Sequence, residues 1–205
     1  MTMPRLDLLP AAIRRITLPP LVGALLTLAA GLASATWAQG TAFDLRFTSI
    51  EGEDLPLARF AGKALLVVNT ASFCGYTDQY ADLQALWRAY RDRGLVVLGV
   101  PSDDFDQEAD SEAEIKRFCE VNFDVDFPLT ERARVRGPEA HPFFRFVAGE
   151  LGEDALPRWN FHKYLVTPGG EVVASWPSRV RPTSDEVIGA IERALPASGR
   201  GAPAR

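Results

Sequence analysis

The chain has 205 residues, with 27 acidic against 22 basic side chains, a formal net charge of −5 and only two cysteines. That length suits one domain with a full hydrophobic core. The acidic balance argues against nucleic acid or anionic lipid headgroups as partners.

In chain order, Arg5, Arg14 and Arg15 precede the apolar stretch LPPLVGALLTLAAGLASA, with small residues at Ala33, Ala35 and Ala38. This is the pattern of a secretory signal peptide, so residues 1–38 are expected to be removed on export. Pro19, Pro20 and the small residues argue against a retained anchor, although the stretch approaches spanning length. The mature protein is then periplasmic or secreted, without a stable membrane anchor. In that compartment a structural disulfide can persist.

AFDLRFTSIEGEDLPL alternates apolar and polar residues around Glu51-Gly52 and predicts a hairpin. ALLVVNTAS (64–72) is a continuous apolar run, as in a strand buried on both faces. Tyr80, Leu83, Leu86, Trp87 and Tyr90 predict a helix from about Thr77 to Arg93, stopped by Gly94. LVVLGV (95–100) is a second buried strand, which completes a βαβ crossover. An acidic loop follows. Ser111 and Glu114 then form a capping box for a helix with Ile115, Phe118 and Cys119 on one face. A short strand is expected near DFPLT, a helix in HPFFRFVAGE, and two strands in KYLVTPGGEVVASW joined by a Pro168-Gly169-Gly170 turn. TSDEVIGAIERAL closes the domain with a helix, Thr183 and Glu186 forming a second capping box. The pattern is α/β, a mixed central sheet flanked by helices, as in thioredoxin-like folds. One domain spans 39–197, and 198–205 reads as a disordered tail.

Cys74 stands where a buried strand ends and a helix begins. Unpaired N–H groups and the positive helix end there favour thiolate over thiol, which suits a nucleophile. A cysteine buried as a small hydrophobe is the competing reading, and position alone does not choose between them.

Four motifs in register do choose. LLVVNTASFCGYTDQYADLQALW, LVVLGVPSDDFDQEADSEAEIKRFC, GPEAHPFFRF and RWNFHKYLV together resemble the glutathione peroxidase family over roughly Phe43 to Leu195. The resemblance implies a thioredoxin-like fold that reduces hydroperoxides to water or alcohols. Cys74 matches the peroxidatic position. Gln107, Trp159 and Asn160 match the rest of a catalytic tetrad. Three neutral N–H donors around a sulfur favour its anion and stabilise charge as the O–O bond breaks. Cys119 lies where two-cysteine members carry the resolving residue, which would trap the Cys74 sulfenic acid as a disulfide. An external thiol, a thioredoxin-like protein or glutathione, would reset it, with no other cofactor.

The sequence departs from the family in the acidic loop. The usual pattern is roughly P-C-N-Q-F-G-G-Q-E-P-G-S, whereas this chain has PSDDFDQEADS, one residue shorter and without either glycine before Gln107. Asp103, Asp104, Asp106, Glu108 and Asp110 are expected to be solvated and to oppose anionic glutathione. A calcium loop starting at Asp104 fails, because Ala109 and Ile115 occupy the required Gly and Glu positions. His141 and His162 have no ligand-spaced partners, so no metal is assigned. Only 17 residues separate His141 from Trp159, which resembles the shorter, monomeric type acting on bulky peroxides. The expected function is therefore an exported thiol peroxidase. The alternative from another class is a thioredoxin-fold binding module stapled by a permanent Cys74–Cys119 disulfide. A thiol-disulfide oxidoreductase is disfavoured by Thr77 in the place of a nearby second cysteine.

Overall fold

The computed structural model describes residues 40–197. The expected signal peptide and the 198–205 tail lie outside the described residues. A hairpin of β1 (Arg46–Thr48) and β2 (Asp54–Pro56) opens the domain and turns at Gly52. The main sheet has four strands: β3 (Ala64–Thr70), β4 (Leu95–Pro101), β5 (Lys163–Val166) and β6 (Val172–Trp176). Their spatial order is β4-β3-β5-β6; β3 pairs parallel with β4 and antiparallel with β5, and β5 pairs antiparallel with β6.

β3 and β4 are buried along their whole length because both faces of the sheet are covered. Leu66 and Val68 face a cluster with Tyr80, Leu83 and Leu86 of α1 (Gln79–Tyr90), Ile115 and Cys119 of α2 (Glu112–Phe123), and Val187 and Ile191 of α4 (Asp185–Ala194). Leu65 and Val67 face the hairpin together with Phe143, Phe144 and Val147 of α3 (Pro142–Leu151). Each such aliphatic or aromatic side chain contributes about 1.5–3 kcal/mol on burial. The continuous apolar runs are thus explained by two cores, one on each face.

Three expectations need correction. α1 starts at Gln79 rather than Thr77 and ends at Tyr90. A 3-10 turn, Arg91–Arg93, then leads to Gly94, whose φ of 93° only glycine adopts freely. The strand near DFPLT shrinks to single bridges at Leu129 and Thr130, because Pro128 has no N–H to extend a ladder. That segment still runs so close to β4 that a Cβ on Gly99 would lie 2.5 Å from Leu129 Cδ2. Finally, Ser184 rather than Thr183 precedes α4 and gives no side-chain cap; Asp185 and Glu186 in its first turn face the positive helix end. At α2 the Ser111 half of the expected capping box is present, with Ser111 Oγ accepting from Glu114 N at 3.3 Å.

Candidate active site

Three loops meet at one end of the sheet, where β3 and β4 finish and β5 begins. Open α/β sheets place their sites at the carboxyl ends of parallel strands, where the ends of β3 and β4 leave a crevice. The first loop carries Cys74, which is 6% exposed and lies in the turn between Thr70 and α1. Its Sγ accepts a hydrogen bond from Tyr76 N at 3.4 Å, and its carbonyl accepts from Thr77 N at 3.1 Å. The helix starts five residues later, so the local turn N–H rather than the first helical turn reaches the sulfur.

The second loop, 102–110, lies along this turn. Phe73 N donates to Gln107 O at 2.9 Å, and Ser72 N donates to Glu108 Oε1 at 2.9 Å. The lost glycines are replaced by Asp106, which takes the left-handed conformation itself, at φ 55°. Aspartate tolerates that region better than most residues. The shortened loop therefore still delivers Gln107 beside the Cys74 turn.

The third loop precedes β5. Asn160 is fully buried, and its Nδ2 donates to Gln107 Oε1 at 3.1 Å. Trp159 is 40% exposed and packs on Phe105, with ring centroids 5.3 Å apart. Gln107, Trp159 and Asn160 are thus gathered around the Cys74 turn. The described hydrogen bonds to Sγ include none from these three side chains.

Cys119 belongs to the same core cluster as Cys74, and both are free thiols. It is fully buried on α2, and burial pushes its thiol up to about 12, with Glu108 and Glu120 adding to the rise. Tyr80 Oη faces Cys119 yet makes no hydrogen bond of standard geometry. In this conformation Cys119 is a neutral thiol held in the core.

The expected ring of five solvated carboxylates is corrected to three. Asp103, Asp106 and Asp110 are exposed. Asp104 is buried and accepts from Val135 N at 2.6 Å, Arg136 N at 3.1 Å and the Arg134 guanidinium at 3.0 Å. Glu108 is buried too; its Oε1 accepts from Ser72 N and Ala109 N, whereas Oε2 has no partner. Desolvation raises its pKa. Charge alternation alone could not separate these two structural acids from their solvated neighbours. A groove of about 800 Å³ opens beside Trp159 and Tyr76, and Arg158 and Arg179 line it. The exposed carboxylates around Gln107 that were expected to oppose anionic glutathione are thus three rather than five, and in the groove Arg158 is paired with Asp154 at 2.7 Å.

His141 and His162 are both neutral. Burial lowers each to about 4. Among the described residues no group of three or more His, Cys, Asp or Glu side chains is arranged to hold a metal. Asn69 is a residue the sequence reading passed over. It sits fully buried at the end of β3, where its side chain bonds the backbone of the third loop. An amide inside an otherwise apolar strand was the available signal, because a buried polar group needs partners.

Comparison with known proteins agrees with this geometry. The sequence profile described as "Glutathione peroxidase" matches residues 42–148. A "Hydroperoxy fatty acid reductase gpx1" of Synechocystis sp. is 42% identical over 167 residues, covering 77% of this chain and 98% of that protein. A "Glutathione peroxidase homolog BsaA" of Bacillus subtilis is 39% identical over 158 residues, covering 74% and 98% respectively. The crystal structure of T. cruzi GPX1 aligns with a TM-score of 0.60 at 26% identity, covering 80% of this chain and 99% of that one. A thiol:disulfide interchange protein from Chlorobium tepidum, at 17% identity and a TM-score of 0.55, shares the thioredoxin-like fold. With the fold, the motifs and these relatives in agreement, the chain is a peroxidase belonging to the glutathione peroxidase family.

Proposed function

We propose that this protein is an exported thiol peroxidase that reduces hydrogen peroxide and organic or lipid hydroperoxides through Cys74. The Cys74 thiolate attacks the distal peroxide oxygen, the O–O bond breaks, and the alkoxide leaves as alcohol after taking a proton. The sulfur is left as a sulfenic acid. The Cys119 thiol then condenses with it, releasing water and forming a disulfide. A thioredoxin-like dithiol protein reopens that disulfide by exchange, because its second thiol resolves the mixed disulfide within one molecule. Glutathione is the alternative donor.

The observation that carries this reading is the Asn160 Nδ2 to Gln107 Oε1 bond beside the Cys74 turn. That bond occupies the glutamine's acceptor, so its Nε2 is left to donate towards developing negative charge. The relative named as a hydroperoxy fatty acid reductase supports lipid hydroperoxides among the substrates. Arg179 in the groove beside Trp159, where Arg158 is already paired with Asp154, is compatible with a carboxylate-bearing peroxide. Export rests on the arginine-led apolar leader, and a monomeric state on the short stretch between His141 and Trp159.

The test counts free thiols in the reduced mature protein before and after one equivalent of hydrogen peroxide. Two thiols should disappear while the peroxide is consumed, and Cys74→Ser should consume none. A preparation that holds no free thiol after gentle reduction, or a Cys74→Ser variant that still turns over, would overturn the reading.

A further inference from the structure

We infer that Asn69 is a positioning residue that holds the Trp159–Asn160 turn in its working geometry. The regular β3:β5 ladder ends at the pair Val68↔Lys163. Beyond it the β5 side departs from strand geometry, because Phe161 adopts φ 61°. A bulky side chain is rare in that region and persists there only when its surroundings over-determine it. With Phe161 turned this way, Trp159 O and His162 N have no ladder partners.

Asn69 supplies them. Its Nδ2 donates to Trp159 O at 3.2 Å, and its Oδ1 accepts from His162 N at 3.0 Å. Its backbone makes two more bonds to the same turn, accepting from Phe161 N at 2.6 Å and donating to His162 O at 3.2 Å. Lys163 Nζ donates to another carbonyl of the turn, Phe161 O, at 2.6 Å. The Phe161 ring is pinned against Tyr80, with centroids 5.2 Å apart at 86°. Between these anchors Asn160 points inward onto Gln107 and Trp159 packs on Phe105.

A strand buried on both faces would gain more from Val or Ile at position 69 than from an amide. The amide is needed because only a side chain with one donor and one acceptor can satisfy both orphaned backbone groups of the turn. Asn69 makes no described hydrogen bond to Cys74 Sγ. It acts through Trp159 and Asn160.

This inference rests on the peroxidase site proposed above, and its test separates the two. Asn69→Ala removes both side-chain bonds; Asn69→Ser, the milder variant, keeps a hydroxyl too short to span both partners. For each variant, the rate of Cys74 oxidation by hydrogen peroxide is compared with its rate of alkylation by iodoacetamide at about pH 9.5, where a thiol of ordinary pKa is ionised. Alkylation needs the sulfur alone, whereas peroxide reduction needs the donors. We expect the peroxide rate to fall about 10- to 100-fold, the scale of a misplaced catalytic group. Alkylation and the far-UV circular dichroism spectrum should hardly change. A peroxide rate equal to the parent's in a folded variant, or peroxide and alkylation rates falling together, overturns the inference. Asn160→Ala is run alongside: if it slows peroxide reduction and the Asn69 variants do not, only the positioning role is lost. If Asn160→Ala is itself without effect, the donor role and the positioning role fall together, while the Cys74 peroxidase reading is still decided by the thiol count.

Discussion

Asn160 gives its amide nitrogen to Gln107 and keeps its Oδ1 buried without a partner. An unpaired buried acceptor costs about 1–3 kcal/mol, so the orientation is held by its surroundings rather than by its own bonds. Replacing Asn160 with Ala removes the donor on Gln107 Oε1 and frees that side chain to turn. Trp159→Phe keeps a ring against Phe105 and deletes the indole N–H. Each change is expected to slow the peroxide step by about 10- to 1000-fold, the scale of losing one donor from a preorganised site. Stopped-flow measurement of the first oxidation checks this; rates within twofold of the parent would mean that the donors do not act on the reaction. Glu108 sets the backbone on which Gln107 rides, through its bonds to Ser72 N and Ala109 N.

α2 is the element that must change during the proposed cycle. It has 12 residues; Ile115 and Cys119 are fully buried, and the half-buried Phe118 and Phe123 pack against the same core. Helices this short are marginal without packing. The first turn is secured by Ser111, and the last ends at Asp124 in the left-handed region, where Val121 is exposed. Burial keeps the Cys119 thiol protonated, pushed up to about 12. The thiol therefore becomes a nucleophile only after the helix opens and water reaches it. Cys119→Ser is expected to leave the first oxidation intact and to halt the cycle. Mass spectrometry should then find Cys74 as sulfenic acid, and with excess peroxide as sulfinic acid. Normal turnover of that variant with a thioredoxin-like donor would show that Cys119 does not resolve the intermediate.

At the scale of the whole molecule, two histidines, His162 buried and His141 half-buried, tie stability to pH. His141 and His162 are each lowered to about 4 by burial, against 6.5 for the ordinary side chain. Between those values the unfolded chain binds more protons than the folded one. Stability is therefore complete above about pH 6.5 and falls as the pH drops towards 4. Each histidine accounts for up to about 3 kcal/mol of that loss, at 1.36 kcal/mol per pH unit. His141 also caps α3, its Nδ1 accepting from Phe143 N at 3.2 Å, a bond that protonation removes. Asparagine is a good cap that does not titrate in this range. His141→Asn is expected to flatten the decline in denaturant midpoint between pH 6.5 and 4.5, and His162→Gln likewise. An unchanged slope in both would assign the acid sensitivity to the carboxylates.

The sequence by itself determined the order of elements, the βαβ unit and the position of Cys74 at the exit of a buried strand, because hydrophobic periodicity and glycine stops are local signals. It also marked Gln107, Trp159 and Asn160 as candidates, through motifs rather than through chemistry visible in any one residue. Tertiary structure alone decided which acids of the 103–110 loop are solvated. Asp104 and Glu108 are drawn inward by backbone N–H groups that lie about 30 residues away in sequence. It alone showed that Asp106 takes the place of a glycine, since a left-handed φ leaves no mark on composition. The part played by Asn69 was likewise hidden, because its partners, Trp159 and His162, belong to a turn some 90 residues further along the chain. Contacts of that range come from the pairing of β3 with β5, and a pattern read one residue after another carries no record of which strands will meet.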